Sequence, residues 1–432
     1  MKTVRGFAKA RLLLDRSGYL APEVASEGKN ISVEGIVSDI INQVAAQGDA
    51  ALKAYSEKFD HVKLKTFKVT RREMQQAYKT VDKKLVSDLK LAAKRIERFH
   101  MACRERITFS FETNNLGRIT RPLHTVGIYV PGGTAAYPST VLMTAIPARV
   151  AGVQKVIMVS PSLRSGNLPA ATLVAADIAA VDEIYKIGGA QAIAALAYGT
   201  KSIPKVDKIC GPGNIFVATA KRQLFGVVDI DGIQGPSEII IVADKTANPA
   251  FCAADLMAQS EHDEMATSIL ITDSIELARA TEREIRTGLN RLSRKETLQH
   301  ALKTNGLIVI IKNMNEAMEL VNLFAPEHLL LMLRQAKKYL PKILNAGCVF
   351  IGETSPVVLG DYIAGPSHVL PTGGTARFSS PLGIESFLKT INYVALNRRE
   401  QNELGPAAAR LANKEGLDAH ANAIKVRLRQ GE

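Results

Sequence analysis

Cysteine is scarce in this chain. Its four residues, Cys103, Cys210, Cys252 and Cys348, are spread over 432 positions with no C-x-x-C pair among them. That spacing excludes a thiolate metal knuckle and a dithiol redox motif, and it points to a reducing, cytoplasmic setting. Any bound metal would then take its ligands from His, Asp, Glu or amide oxygens. Long apolar runs are missing too: nothing approaches the ~20 consecutive apolar residues of a membrane span. The short leucine run at 12–14 is cut by Asp15 and Arg16 before an export signal could develop. A G-x-G-x-x-G dinucleotide fingerprint is also absent.

What is present is a long, ordinary globular composition, 46% hydrophobic and 22% charged. A chain of this length is expected to form more than one domain. The net charge of +13 raises the possibility of nucleic-acid binding, but the excess is local. Residues 61–110 hold 14 basic against 5 acidic side chains, whereas residues 231–280 hold 2 against 9. The basic stretch has helical apolar spacing at Leu85, Leu89 and Ile96 with no aromatic interleaving, so it reads as a solvated helix face. Neither a nucleic-acid nor a membrane partner is expected.

From Val126 onward, short apolar runs at 126–130, 155–160, 183–187 and 207–210 alternate with helix-like segments. A second series follows at 238–243, 268–272, 307–311 and 348–351, with helical stretches at 249–260 and 274–289 between its strands. This alternation predicts parallel sheets covered on both faces. Upstream, 33–59 and 71–106 read as helices with a break at Asp60 and His61. The tail after Pro381 is helix-rich, with Gly405, Pro406 and Gly416 as expected punctuation.

Three turns end in glycine on the carboxyl side of their strands: Tyr-Val-Pro-Gly-Gly at 129–133, Gly-Gly-Ala-Gln at 188–191 and Gly-Pro-Gly-Asn at 211–214. Backbone N–H groups presented there at helix starts suit an anion, and three together favour a phosphate or nucleotide, although each alone is compatible with plain turn chemistry. Gln259 and His262 stand at helical spacing, a weak metal signal alone, with a solvated polar helix end as the alternative. Glu327 and His328, pointing in different directions as chain neighbours, form an acid/base candidate at the mouth of a buried strand, or else a polar loop. The Gly- and Pro-dense run at 360–374 carries Asp361 and His368 as candidates for metal or proton chemistry. His420 alone reads as an exposed tail histidine.

Taken in order over nearly the whole chain, these segments resemble the histidinol dehydrogenase family. The match also includes Gly-Pro-Ser-Glu at 235–238, Ala-Gln-Ser-Glu-His-Asp at 258–263, Ala-Pro-Glu-His-Leu at 325–329 and Gly-Asp-Tyr-Ile-Ala-Gly-Pro-Ser-His-Val-Leu-Pro-Thr-Gly-Gly at 360–374. The resemblance implies zinc ligands at Gln259, His262, Asp361 and His420, and an acid/base pair at Glu327 and His328. It implies substrate contacts from Ser237, His328, Asp361 and Glu415 together with the zinc ligands, and NAD contacts from Tyr129, Gln191 and Asn214. L-Histidinol is the implied substrate, and the implied assembly is a homodimer in which Glu415 and His420 act across subunits. Ser367, Gln234 and Leu330 depart from the common family pattern, and none of them is a named ligand or catalytic group. A paralogue acting on another small polar alcohol would share the same chemistry.

The fold expected is α/β: two Rossmann-like parallel α/β domains with helical N-terminal and small C-terminal appendages. Residues 1–32 are assigned to an N-terminal arm, and 33–125 with 238–380 to the domain bearing metal and acid/base residues. Residues 126–237 are assigned to the NAD domain, and 381–432 to a helical appendage reaching the partner.

Overall fold

The computed structural model describes residues 1–16, 32–107, 110–132 and 136–429, so part of the expected N-terminal arm and Gly133 of the first glycine turn lie outside the described residues. The chain divides into two compact units, one of residues 1–104 and 123–387, the other of 105–122 and 388–432. The larger unit holds two parallel sheets. In the five-stranded sheet, Glu183–Lys186, Lys155–Ser160, Thr125–Tyr129, Lys208–Cys210 and Asp229–Ile230 lie side by side in that order. By chain order this is 3-2-1-4-5, the doubly wound arrangement in which the order reverses between the first and fourth strands.

The six-stranded sheet repeats the pattern. Gly306–Ile310, Thr267–Thr272, Glu238–Ala243, His328–Met332 and Cys348–Ile351 again run 3-2-1-4-5, and Lys2–Arg5 is added in parallel beside Gly306–Ile310. Every residue of Glu238–Ala243 and of His328–Met332 is buried. Alternation along the strand sends Ile240 and Val242 into one apolar cluster and Ile239 and Ile241 into another, which is why these strands read as continuous apolar runs.

The packing differs from the expected grouping at three places. The amino-terminal segment is no separate arm, because its first residues are the edge strand of the six-stranded sheet. The helices of 33–60 do not join residues 238–380: Val37, Ile40, Val44, Leu52 and Tyr55 share one core with Tyr129 and Ile157 of the five-stranded sheet and Ile193 of a helix upon it, whereas the helix Lys83–Arg104 donates from Arg95 to the Ile363 carbonyl. The helices of 33–104 also number four rather than two. Gly48, at φ 53, separates Val33–Gln47 from Asp49–Asp60, and Val81 turns extended between Arg71–Thr80 and Lys83–Arg104.

The smaller unit is described by itself. It is not purely helical, since Leu388–Val394 pairs antiparallel with Leu116–Pro122, which pairs in turn with Phe111–Thr113. The tight connection uses Asn114 and Asn115, both at positive φ, as a two-residue hairpin of this twist requires. Gly405 and Pro406 fall inside the helix Arg398–Lys414 instead of ending it. A Cβ on Gly405 would stand 3.1 Å from Leu428 and 3.2 Å from Ile424, so this glycine serves close packing of Asp418–Arg429. Gly416, at φ 75, does follow the end of that helix.

Leu330 is fully buried in the six-stranded sheet, whereas Leu344 is 76% exposed. Leu330→Ala is expected to cost about 2–5 kcal/mol of unfolding free energy. Leu344→Ala should stay within about 0.5 kcal/mol of the parent. Urea denaturation followed by circular dichroism measures both, and equal shifts would contradict the assigned core.

Candidate active site

Within the six-stranded sheet the acid/base candidates gather at the amino ends of the two central strands. Glu327 precedes His328–Met332, and His328 is in register with Ile239. The Glu327 Oε2 accepts the backbone N–H of Glu238 at 2.8 Å, and His328 Nδ1 lies 3.2 Å from the Glu238 carbonyl. An imidazole facing a carbonyl donates there, which leaves Nε2 as the open nitrogen. Nε2 is 3.5 Å from Asp361 Oδ1, and Nδ1 is 3.5 Å from Glu327 Oε2. The two neighbours therefore converge rather than diverge. Strand alternation begins only at His328, so it does not constrain Glu327.

Burial alone would lower the His328 pKa, but the carboxylates of Glu327 and Asp361 outweigh it and hold the ring well above the ordinary histidine value. For Asp361 the balance is the mirror image. Burial would raise its carboxyl, and His328, with His368 and His262, draws it below the usual range.

The metal-ligand candidates of this unit approach the same corner. Gln259 is buried in the last turn of Pro249–Ser260, and its Nε2 has no hydrogen-bond partner among the described residues. His262 lies just beyond that helix, not on it, because the helix ends at Ser260 and its cap is Glu261. The turn leaves His262 exposed, with its N–H donating to the Gln259 carbonyl. Asp361 sits in Val357–Tyr362, and its main-chain carbonyl faces His368 Nδ1 at 2.7 Å. Asp255, one turn before Gln259, is also buried, and burial pushes its carboxyl up to about 6 with Asp361 adding to the shift. Among the described residues, no three His, Cys, Asp or Glu side chains form a metal-binding group. Ser237 adjoins Glu238 and is half-buried. Glu415 and His420 belong to the smaller unit. Both are exposed there, the first capping Arg398–Lys414 and the second in the opening turn of Asp418–Arg429.

The nucleotide candidates occupy the carboxyl edge of the five-stranded sheet. Tyr129 is buried, and its hydroxyl accepts the Gly189 N–H at 3.1 Å. Burial holds that phenol up at about 12 against the pull of the Gly189 hydrogen bond. Gln191 is buried in the first turn of Gly189–Tyr198. Asn214 caps Ile215–Leu224, its Oδ1 accepting from Phe216 and Val217 N–H at 3.1 Å each. Gly211, at φ 109, passes so close that a Cβ would stand 2.2 Å from the Tyr129 carbonyl. The turns after Tyr129 and Cys210 flank the strand-order reversal, where open α/β sheets bind ligands, and the Gly189 turn reaches it through the Tyr129 hydroxyl.

Composition and spacing did not single out the groups that brace these turns. Lys221 and Asp231 form a buried ion pair whose carboxylate also accepts the Gly211 N–H at 2.7 Å, while Lys221 donates to the Gly211 carbonyl and to Gln234. Gln234, one of the departures from the common pattern, thus has a structural partner. Ser367 has one as well, donating to the Met143 carbonyl at 3.0 Å.

The family model described as histidinol dehydrogenase matches residues 24–428. The chain belongs to the histidinol dehydrogenase family. As a member of that family it is an oxidoreductase. It is 50% identical to the histidinol dehydrogenase of Dehalococcoides mccartyi strain CBDB1, over 99% of this chain and 100% of that one. It is 48% identical to that of Clostridium acetobutylicum, over 96% and 97%. The crystal structure of histidinol dehydrogenase from Elizabethkingia anophelis superposes with a TM-score of 0.91 at 35% identity, covering 100% of this chain and 98% of that one.

Lys221→Met leaves the Asp231 carboxylate buried without its cation and is expected to cost about 3–5 kcal/mol. The double variant Lys221→Met/Asp231→Leu should recover part of that loss. Chemical denaturation of the parent, Lys221→Met, Asp231→Leu and the double variant decides it, and a double variant as unstable as the sum of the two singles would count against the pair.

Proposed function

We propose that the chain oxidises L-histidinol to L-histidine for histidine biosynthesis, with one zinc ion per subunit and two NAD per turnover, as a cytoplasmic homodimer with shared active sites. The observation that carries this reading is the cluster of buried Glu327 and His328 on the Glu238 backbone with half-buried Asp361 beside His328, together with a buried amide, Gln259, with an unsatisfied end. Amide oxygen and nitrogen are not distinguished by shape, so either orientation of Gln259 leaves one end free, and oxygen in that place is a donor for a cation. With His262, Asp361 and the partner subunit's His420, the donor set is nitrogen and oxygen without thiolate, which suits a zinc that keeps positions open. When bound, zinc holds and orients the imidazole and amine of the substrate, and NAD accepts hydride.

The chain's own residues then handle the protons. With Asp361 engaged by the cation, the ring would lose one of the two carboxylates that hold its proton, and neutral His328 then takes the hydroxyl proton at Nε2 as hydride departs, which leaves the aldehyde bound. In the second half-reaction Glu327 takes a proton from water as the water oxygen adds to the aldehyde, and His328, its first proton released to solvent, takes a hydroxyl proton of the hydrate as the second hydride leaves for NAD, giving the acid, which ionises to the carboxylate. Ser237, Asp361 and the partner subunit's Glu415 are assigned to substrate contacts, and Tyr129, Gln191 and Asn214 to NAD. The acidic excess of residues 231–280 suits a cationic substrate.

Two NADH should appear per histidinol consumed, without free aldehyde. A one-to-one yield with aldehyde released rejects the scheme. His328→Asn is expected to damage both oxidations, and Glu327→Gln mainly that of supplied aldehyde, as initial rates with each substrate will report. For the shared site, His262→Ala and His420→Ala chains, each inactive alone, should regain about a quarter of parental activity when refolded together, because half the dimers then hold one intact site. No recovery on mixing rules out sharing.

A further inference from the structure

The residue that joins the acid/base pair has no part in the scheme above. Glu238 holds Glu327 through its N–H at 2.8 Å and meets His328 through its carbonyl at 3.2 Å. Its side chain is buried and makes two further contacts: Oε1 accepts from Arg16 at 2.6 Å and from the Gly373 N–H at 3.2 Å. Arg16 in turn lies 3.5 Å over the ring of Phe324, the last residue of the helix that leads into Glu327. Neighbouring Thr372 accepts the Gly235 N–H at 2.6 Å. One carboxylate thus ties together the start of the central strand, the peptide before the acid/base pair and the glycine-rich loop that begins at Asp361.

We propose that Arg16 and Glu238 are positioning residues for the reaction, a buried charge pair that keeps the Glu238 peptide in the orientation that aims both Glu327 and His328. The inference rests on the acid/base reading of those two residues. The physical argument is one of leverage. Burial of Glu238 beside the Glu327 carboxylate disfavours its charge, and the Arg16 guanidinium lies against it. Without Arg16, Glu238 would turn towards a proton or towards solvent. Its backbone would follow, and both reacting groups hang from that backbone. A displacement of about 1 Å at a reacting group can cost on the order of 100-fold in rate.

The test uses the full-length, zinc- and NAD-supplied enzyme and the variants Arg16→Met, Arg16→Lys, Glu238→Gln and the double Arg16→Met/Glu238→Gln. The expected result is a fall in kcat of about 10- to 100-fold for Arg16→Met and Glu238→Gln with both histidinol and histidinal. KM for histidinol and NAD should stay within about threefold, because substrate contacts are untouched. The double variant should be no worse than the poorer single one, since the two act as a unit. Arg16→Lys should recover part of kcat, and it also serves as the informative variant if Arg16→Met does not fold. Unchanged kcat in folded Arg16→Lys and Glu238→Gln overturns the inference, as does a loss expressed only in thermal midpoint or KM. Glu327→Gln and His328→Asn, assayed in parallel, separate the two readings. If they retain kcat the acid/base assignment fails, whereas if they lose it while the Arg16 and Glu238 variants do not, only the positioning role fails.

Discussion

A short connection governs this molecule. The last strand of the five-stranded sheet ends at Ile230 and a central strand of the six-stranded sheet begins at Glu238, so residues 231–237 join one sheet's carboxyl edge to the other's amino edge. At ~3.3–3.6 Å per residue, that stretch cannot reach far. Asp231 and Gln234 are tied to Lys221 under the Gly211 turn, and Gly235 is tied to Thr372. The tether brings the edge with the nucleotide candidates near the edge with the acid/base candidates. It also explains an apparent exception: the second sheet bears its reactive side chains at the amino ends of its strands, although open α/β sheets ordinarily bind at the carboxyl ends.

Much of this was legible in the residues. The buried strands announced themselves as apolar runs because both sheet faces are covered, and each predicted run contains or overlaps an observed strand. The matching 3-2-1-4-5 order of the two sheets was not legible, since periodicity says what is a strand but not which strand is its neighbour. Helix boundaries at Gly48 and Val81 were blurred for a related reason: the apolar spacing continues across both breaks. The Asn114–Asn115 hairpin did have a local signal, a pair of asparagines between short polar strands, and it was overlooked among stronger motifs.

The site divides in the same way. Glu327 and His328 stand out as polar residues beside a buried apolar run, Gln259 by its helical spacing to His262 and Asp361 by its Gly- and Pro-dense surroundings, and all lie within one unit. Arg16, Lys221 and Asp231 escaped because each acts through a partner distant in sequence, and a lone basic or acidic side chain is ordinarily a solvated one. Gln259 and His262 illustrate a different limit. Helical spacing pairs the two in sequence, but the helix stops between them and the turn sets their relation.

The placement of the first strand bears on the order in which the protein is made. Among the described residues Lys2–Arg5 pairs only with Gly306–Ile310, and Arg16, a few residues later, bonds to Glu238. During synthesis from the amino terminus, the opening segment therefore waits for most of the chain to emerge before its partner strand exists. Such long-range parallel pairing closes slowly. While it waits, an unpaired strand is a ready template for other chains. The edge strand and the Arg16–Glu238 pair consequently fall into place late, after the five-stranded sheet has all its strands available to fold.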